Sequence, residues 1–317
     1  MTEITRFYDK FQPSRYDVFI DINRGTKQFS GKTVIDGEAK VPSISIHQKY
    51  LNIESVQADG KDVPFTTDDD NDAINIDLPQ AGETTLTITY NAKLTDSMMG
   101  IYPSYYEVNG EKKQIIGTQF ETTFARQAFP CVDEPEAKAK FDMAIKFDEK
   151  PGETILANMP EIRTENGIHY FDTTVKMSTY LIAFAFGDLQ SKVIKTKSGV
   201  EVGVFATKAH KANELDFALS IAKRAIEFYE DFYQTSYPLP HSWQLALPDF
   251  SAGAMENWGL VTYREAYLMV DPDNTSLDTK QLVATVITHE LAHQWFGDLV
   301  TMKWWDDLWL NESFANM

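Results

Sequence analysis

Hydrophobic and polar residues alternate along much of the chain up to about residue 188. Tyr16, Val18, Ile20 and Ile22 alternate with Asp17, Phe19, Asp21 and Asn23. Ile74, Ile76 and Leu78 alternate with Asn75 and Asp77, and Leu86, Ile88, Tyr90 and Ala92 recur among threonines. A period of two sends successive side chains to opposite faces, so these stretches are expected as half-buried strands. Asn109-Gly110 supplies a type I′ hairpin turn between two of them. After Gly187-Asp188 the period changes. Leu215, Leu219, Ala222, Ile226 and Tyr229 predict a helix from about Asn213 to Tyr233, ended by Tyr237-Pro238-Leu239-Pro240. A second helix is expected from about Asp278 to Phe296, with Leu282, Val286, His289, His293 and Phe296 on one face and Gly297 as its stop. The expected class is therefore α+β, with a β-rich domain over 1–188 and a second domain over 189–317.

Composition narrows the partners. Hydrophobic residues make up 43% and charged residues 24% of 317, values of an ordinary globular chain. Lys plus Arg is 29 against 47 Asp plus Glu, a net charge of −18, which repels phosphate backbones and argues against nucleic-acid binding. The run Asp68-Asp69-Asp70-Asn71-Asp72 lacks the spaced glycine and distal glutamate of an EF-hand loop and reads as a solvated turn. Cys131 is the one cysteine, so no intrachain disulfide forms, which fits a reducing compartment. Asp133 and Glu134 beside it oppose a thiolate, so a structural role is expected. The first eight residues show no basic stretch leading into an apolar one, and the longest apolar run, near Tyr180 to Gly187, is about 8 residues against the ~20 of a membrane helix. The expected location is cytoplasmic, with no membrane partner. The oligomeric state is left open.

The chemistry is concentrated in His289-Glu290-Leu291-Ala292-His293. Two histidines at i and i+4 on a helix reach one metal ion, and Glu290, about 100° round the helix from His289, is placed to act on water instead of binding the metal. Glu312 follows His293 after 18 residues, in what reads as the start of another helix near Asp307. It completes the two-histidine, one-carboxylate set of an open zinc site. Of the six histidines, His47, His169, His210 and His241 show no ligand spacing. No Gly-x-Ser-x-Gly elbow or Walker loop is present. Taken alone, Gly253-Ala254-Met255-Glu256-Asn257 is a glycine-containing turn or edge strand. Thr118-Gln119-Phe120-Glu121 likewise reads as an edge strand leading into the loop Ala125 to Pro135.

Together, the His-Glu-x-x-His motif with its distant glutamate, the Gly-Ala-Met-Glu-Asn box and the Thr118 to Pro135 stretch resemble the zinc aminopeptidases of the aminopeptidase N family, including the lysyl or alanyl aminopeptidases of lactic acid bacteria. The resemblance covers essentially the whole chain. It implies a saddle-shaped, sandwich-like N-terminal β domain followed by a thermolysin-like (gluzincin) catalytic domain holding one Zn2+. It implies peptides with a free N-terminal amine as substrates. Glu290 would be the catalytic base, and His289, His293 and Glu312 the ligands. Glu256 and Glu121 would hold the α-amino group. The Gly253-Ala254 backbone, with Met255 and Asn257, would line the scissile bond, and Gln119 would border the pocket for the first side chain. The resemblance also implies an oxyanion-stabilising tyrosine well downstream of the third ligand. Tyr263 and Tyr267 lie upstream, and the chain stops five residues after Glu312. It is therefore expected to be the N-terminal part of a longer enzyme, truncated within the catalytic domain and poorly active by itself. Two rivals stay open: a thermolysin-like endopeptidase, which would cleave N-blocked peptides, and a catalytically silent zinc- or peptide-binding fragment, which would show no turnover.

Overall fold

In a computed structural model the described residues are 5–316; residues 1–4, half of the stretch read for a leader, and residue 317 lie outside them. The chain forms two compact units that interleave along the sequence. The first takes the residues up to Thr95, then Gln119–Glu149 and Glu161–Tyr180. The second takes Asp96–Thr118, Lys150–Pro160 and the residues from Leu181 onward. The change of period near residue 188 falls inside the second unit, because the strands and hairpin between Asp96 and Thr118 pack there.

The first unit is built from strands. Its large sheet has eight, in the order Glu161–Glu165, Ile168–Phe171, Lys140–Phe147, Phe11–Asn23, Gln28–Ala39, Gly82–Lys93, Asn52–Ala58 and Lys61–Asp62. A three-stranded sheet joins Ser43–His47, Ala73–Asp77 and Phe65–Asp68. The alternation does what it predicts: Tyr16, Val18, Ile20 and Ile22 are buried while Asp17 and Asn23 face out. Tyr16 stacks on Phe141 at 4.8 Å between ring centres, and its hydroxyl accepts the Val132 N–H at 3.0 Å, so a tyrosine can sit fully buried there. Burial, followed by the negative charge of its neighbours, pushes that hydroxyl well above its ordinary pKa. Cys131 is fully buried, and burial raises its thiol pKa further, with Asp133 adding to it. The acidic run forms a turn in which Asp68 accepts from Asn71 and Asp72 pairs with Lys49.

The second unit holds a four-stranded sheet, a five-stranded sheet and three α-helices. The first sheet runs Thr154–Ala157, Phe184–Gly187, Glu111–Gln119, Gly100–Val108. Its hairpin turns at Asn109 and Gly110 with φ of 53° and 82°, the pair of left-handed residues that a type I′ turn needs. The strand ending in Thr118-Gln119 is interior, not an edge: Thr118 bonds through its hydroxyl to both the N–H and the C=O of Phe184. The five-stranded sheet runs Leu189–Lys195, Glu201–Thr207, His241–Leu247, Leu260–Arg264, Ala254–Met255. Its helices are α1 (Asp216–Tyr233), α2 (Leu277–His293) and α3 (Trp309–Ala315). Among the described residues no helix is long and apolar enough to cross a membrane.

Two expectations about α2 are corrected. It stops at His293, three residues short of Phe296, and its buried residues are Val283, Ile287, Glu290, Leu291, Ala292 and His293, so of the expected face only His293 is buried within the helix. Leu282 is 47% exposed, and Val286 and His289 are only half-buried. Leu282–Val286 and Val283–Ile287–Leu291 are both apolar stripes at helical spacing, so period alone does not choose between them. Tertiary packing does. α1 lies against α2, with the Tyr229 hydroxyl donating to the Thr288 carbonyl at 2.9 Å. Beyond α2, Trp295 stands among the rings of Tyr229, Tyr233 and Tyr237. The start of α3 is also later than expected: Trp305–Asp307 is a 3₁₀ turn, and the α-helix begins at Trp309.

Candidate metal centre

The Ser276 hydroxyl caps α2 by accepting the Thr279 N–H at 3.2 Å, and the last turn of that helix carries both histidines. Their ring centres are 4.5 Å apart and their planes perpendicular, with the two Nε2 atoms 3.0 Å apart. Glu312, on α3, reaches them because Phe314 of that helix stacks on Phe296 at 4.5 Å. Its Oε2 lies 3.4 Å from Nε2 of His289 and 3.6 Å from Nε2 of His293. The structure thus brings the three proposed ligands together, the one such group of potential ligands among the described residues.

The local bonding orients the donors. His293 is buried, and its Nδ1 lies 2.9 Å from the Phe296 carbonyl. A carbonyl only accepts, so Nδ1 carries a proton, and Nε2 is the nitrogen left to face His289 and Glu312. Gly297 makes this tight turn possible: its φ is 142°, and a Cβ there would stand 3.1 Å from the His293 carbonyl and 3.3 Å from Nδ1. The carboxylates set the field. Burial opposes a charge on His293, but Glu256, Glu312 and Glu290, with the Phe296 carbonyl, outweigh it, and its pKa is pushed up to about 10. The hydrogen bonds from His289 and His293 hold Glu312 well below the ordinary carboxylate range. Two imidazole nitrogens and a carboxylate oxygen facing one another suit a positive charge, carried by a proton on His293 or by a metal ion. A tetrahedral zinc site with bonds of about 2.0–2.2 Å has ligand–ligand edges of about 3.3–3.6 Å. The edges to Glu312, 3.4 and 3.6 Å, lie in that range, and the edge between the two Nε2 atoms, 3.0 Å, is shorter.

Glu290, one residue from His289, is buried on the inward face of α2. Ala254–Met255 is the outer strand of its sheet, paired antiparallel with Leu260–Arg264. This agrees with the edge-strand reading of the Gly253 box. Gly253 accepts from the Arg264 N–H at 3.0 Å. Glu256 and Asn257 are buried just after that strand, Asn257 donating to the Thr262 hydroxyl at 3.1 Å. Gln119 and Glu121 belong to the first unit, Gln119 buried and Glu121 half-buried in the turn that follows its strand.

Sequence reasoning missed Gln294 and the main-chain role of Phe296. Gln294 is fully buried and donates through Nε2 to the Glu256 carbonyl at 2.9 Å and toward the Glu290 carbonyl at 3.4 Å. The available signal was a polar residue at i+4 from Glu290 and i+3 from Leu291, in line with the buried stripe. Phe296 acts through its main chain, for which a side chain gives no signal.

A β-rich unit, a sheet-and-helix unit and a His-Glu-x-x-His helix facing a distant glutamate define a metallopeptidase-like architecture. The model of the Peptidase M1 N-terminal domain matches residues 12–181, and that of the Peptidase family M1 domain matches residues 217–317. The chain belongs to the M1 peptidase family. It is similar to aminopeptidase N of Lactobacillus delbrueckii subsp. lactis, 67% identical over 99% of this chain and 37% of that protein. Aminopeptidase N of Lactococcus lactis subsp. cremoris (strain MG1363) is 62% identical with the same coverage. Endoplasmic reticulum aminopeptidase 1 of Mus musculus is 42% identical over 98% of this chain and 35% of that protein. The chain spans about 37% of the length of its bacterial relatives.

Proposed function

We propose that the protein carrying this chain is a zinc-dependent aminopeptidase that removes the N-terminal residue of peptides. The observation that supports this most strongly is the convergence of His289, His293 and Glu312 within 4.8 Å on one side of a helix whose buried face carries Glu290. His289, His293 and Glu312 would hold the metal. When bound, a divalent ion in such a site polarises a carbonyl and makes water a competent nucleophile near neutral pH.

The chain's own residues do the rest. The Glu290 carboxylate takes a proton from the attacking water as the new C–O bond forms, and delivers it to the amide nitrogen as the C–N bond breaks. Glu256 binds the substrate's ammonium group through charge-assisted hydrogen bonds, which marks the end of the peptide and lets the enzyme count one residue. The edge strand Ala254-Met255, with Gly253 before it and Asn257 after it, offers its backbone to an extended substrate. Gln119 borders the first side chain. A cytoplasmic setting belongs to the same proposal, supported by a single, buried cysteine, and cell fractionation tests it.

The test is a paired assay on the intact protein with an alanyl p-nitroanilide and its N-acetylated form. Zinc-dependent release from the free amine only is expected. Comparable cleavage of the acetylated compound would replace this reading with an endopeptidase.

A further inference from the structure

Beneath the candidate site, buried polar side chains are linked by hydrogen bonds. Tyr263 donates to Gln244 at 2.6 Å, and Gln244 donates to the Ser242 hydroxyl at 2.9 Å. Ser242 and the Gly259 backbone lie beside the Tyr237 hydroxyl and lower its pKa against the burial that raises it. The Tyr237 hydroxyl donates to Oε1 of Gln294 at 3.2 Å. Gln294 closes the chain by donating to the Glu256 carbonyl at 2.9 Å, with the Glu290 carbonyl at 3.4 Å. Tyr263, Gln244, Ser242 and Gln294 are fully buried, and Tyr237 is 5% exposed.

The orientation of the Gln294 amide is dictated by its surroundings. Two carbonyls can only accept, so the NH₂ group must face them, and the oxygen must then face a donor, which is the Tyr237 hydroxyl. An apolar residue would fill the space but leave the Glu256 carbonyl without this donor. Gln294 is thus the side chain that joins the strand-end backbone of Glu256 to the last turn of the metal-binding helix.

We propose that Gln294, held by Tyr237, is a positioning residue for the Glu256 carboxylate, fixing the spacing between the amine-binding group and the metal-binding helix. The proposal rests on the aminopeptidase reading, and specifically on Glu256 as an amine ligand. Binding measurements separate this role from simple structural support. Alanine hydroxamate and N-acetyl-alanine hydroxamate share a metal-chelating end and differ only at the amine, so the Kd of the acetylated ligand divided by that of the free amine, on the zinc-loaded, intact protein, isolates the amine site.

Gln294→Met is expected to reduce that ratio about tenfold, with the acetylated ligand bound as before and zinc still at one per chain. Tyr237→Phe removes one hydroxyl and keeps the ring, so it decides the matter should Gln294→Met fail to fold, with an expected reduction of about fivefold. Equal weakening of both ligands would show mere structural support and overturn the proposal, as would an unchanged ratio. Glu256→Gln is measured alongside. If it leaves the ratio intact, the amine is bound elsewhere, and the Glu256 assignment and the positioning role both fall. If it abolishes the ratio while Gln294→Met and Tyr237→Phe do not, only the positioning role falls.

Discussion

Loading the His289–His293–Glu312 cluster with metal carries a defined pH dependence. In the metal-free fold, burial opposes a charged His293, but the carboxylates of Glu256, Glu312 and Glu290 and the Phe296 carbonyl hold its pKa at about 10. Glu312 stays ionised because the histidines hydrogen-bond to it. Between about pH 6 and 9, then, His293 carries a proton that zinc must displace from Nε2, while Glu312 has none to give. Each unit of pH below 10 should weaken zinc about tenfold, so at pH 7 the apparent affinity lies about a thousandfold below its high-pH limit. Calorimetric zinc titrations at pH 6, 7 and 8, in buffers of different ionisation enthalpy, measure both the slope and the protons released. At least one proton per zinc, with His293 contributing it, is the expected result.

The stability of the metal-free protein follows with its own sign. A raised His293 value stabilises the fold fully below the ordinary histidine pKa of 6.5, and this stabilisation is lost as pH climbs through about 10. The lowered Glu312 value stabilises above the ordinary 4.5 and is lost as pH falls through its folded value. Metal-free protein should therefore lose this contribution on the alkaline side, where zinc-loaded protein does not. A zinc affinity that stays flat from pH 6 to 8, with no proton released, would refute the reasoning.

Three further substitutions test single features. Glu290→Gln in the intact protein should keep one zinc per chain and lower kcat by ~10² or more; near-normal turnover with metal bound would remove Glu290 as the base. Gly297→Ala places a methyl group 3.1 Å from the His293 carbonyl at a φ of 142°, and should cost about 1–3 kcal/mol and weaken zinc binding. Thermal melting with and without metal reads both effects. Gly259→Ala meets the Asn158 carbonyl at 2.2 Å with a φ of 86°, so a loss of about 3 kcal/mol or more is expected; a melting temperature equal to that of the unsubstituted protein would show that the two segments are not packed this closely.

What the sequence makes legible depends on whether the information is local. The strand around Tyr16 to Asn23 is readable because its alternation is both the cause of the pairing and visible in one dimension. The Asn109-Gly110 turn is readable because both residues tolerate the left-handed conformation it needs. The ligand triad is readable because i and i+4 on a helix fix two donors before any tertiary structure forms. The interior place of Thr118 was not readable, since whether a strand lies at an edge depends on a partner, Phe184, 66 positions away.

The same limit explains the misread face of α2. Leu282 and Val286 lead helically to His289, and the eye follows them into the motif. Val283, Ile287 and Leu291 form a second stripe, and the fold buries that one. The consequence is chemical. Had the first stripe been buried, His289 would have turned inward and Glu290 toward solvent. With the second stripe buried, Glu290 is enclosed and His289 sits 22% exposed at the rim, where Glu312 of α3 reaches it. Gln294 continues the inward stripe, and a polar side chain there needs buried partners. It finds them in the carbonyls of Glu256 and Glu290 and the hydroxyl of Tyr237. The polar residue that interrupts the apolar stripe is thus the one that connects the helix to the strand beside it, and the helix face follows from where that residue's partners lie.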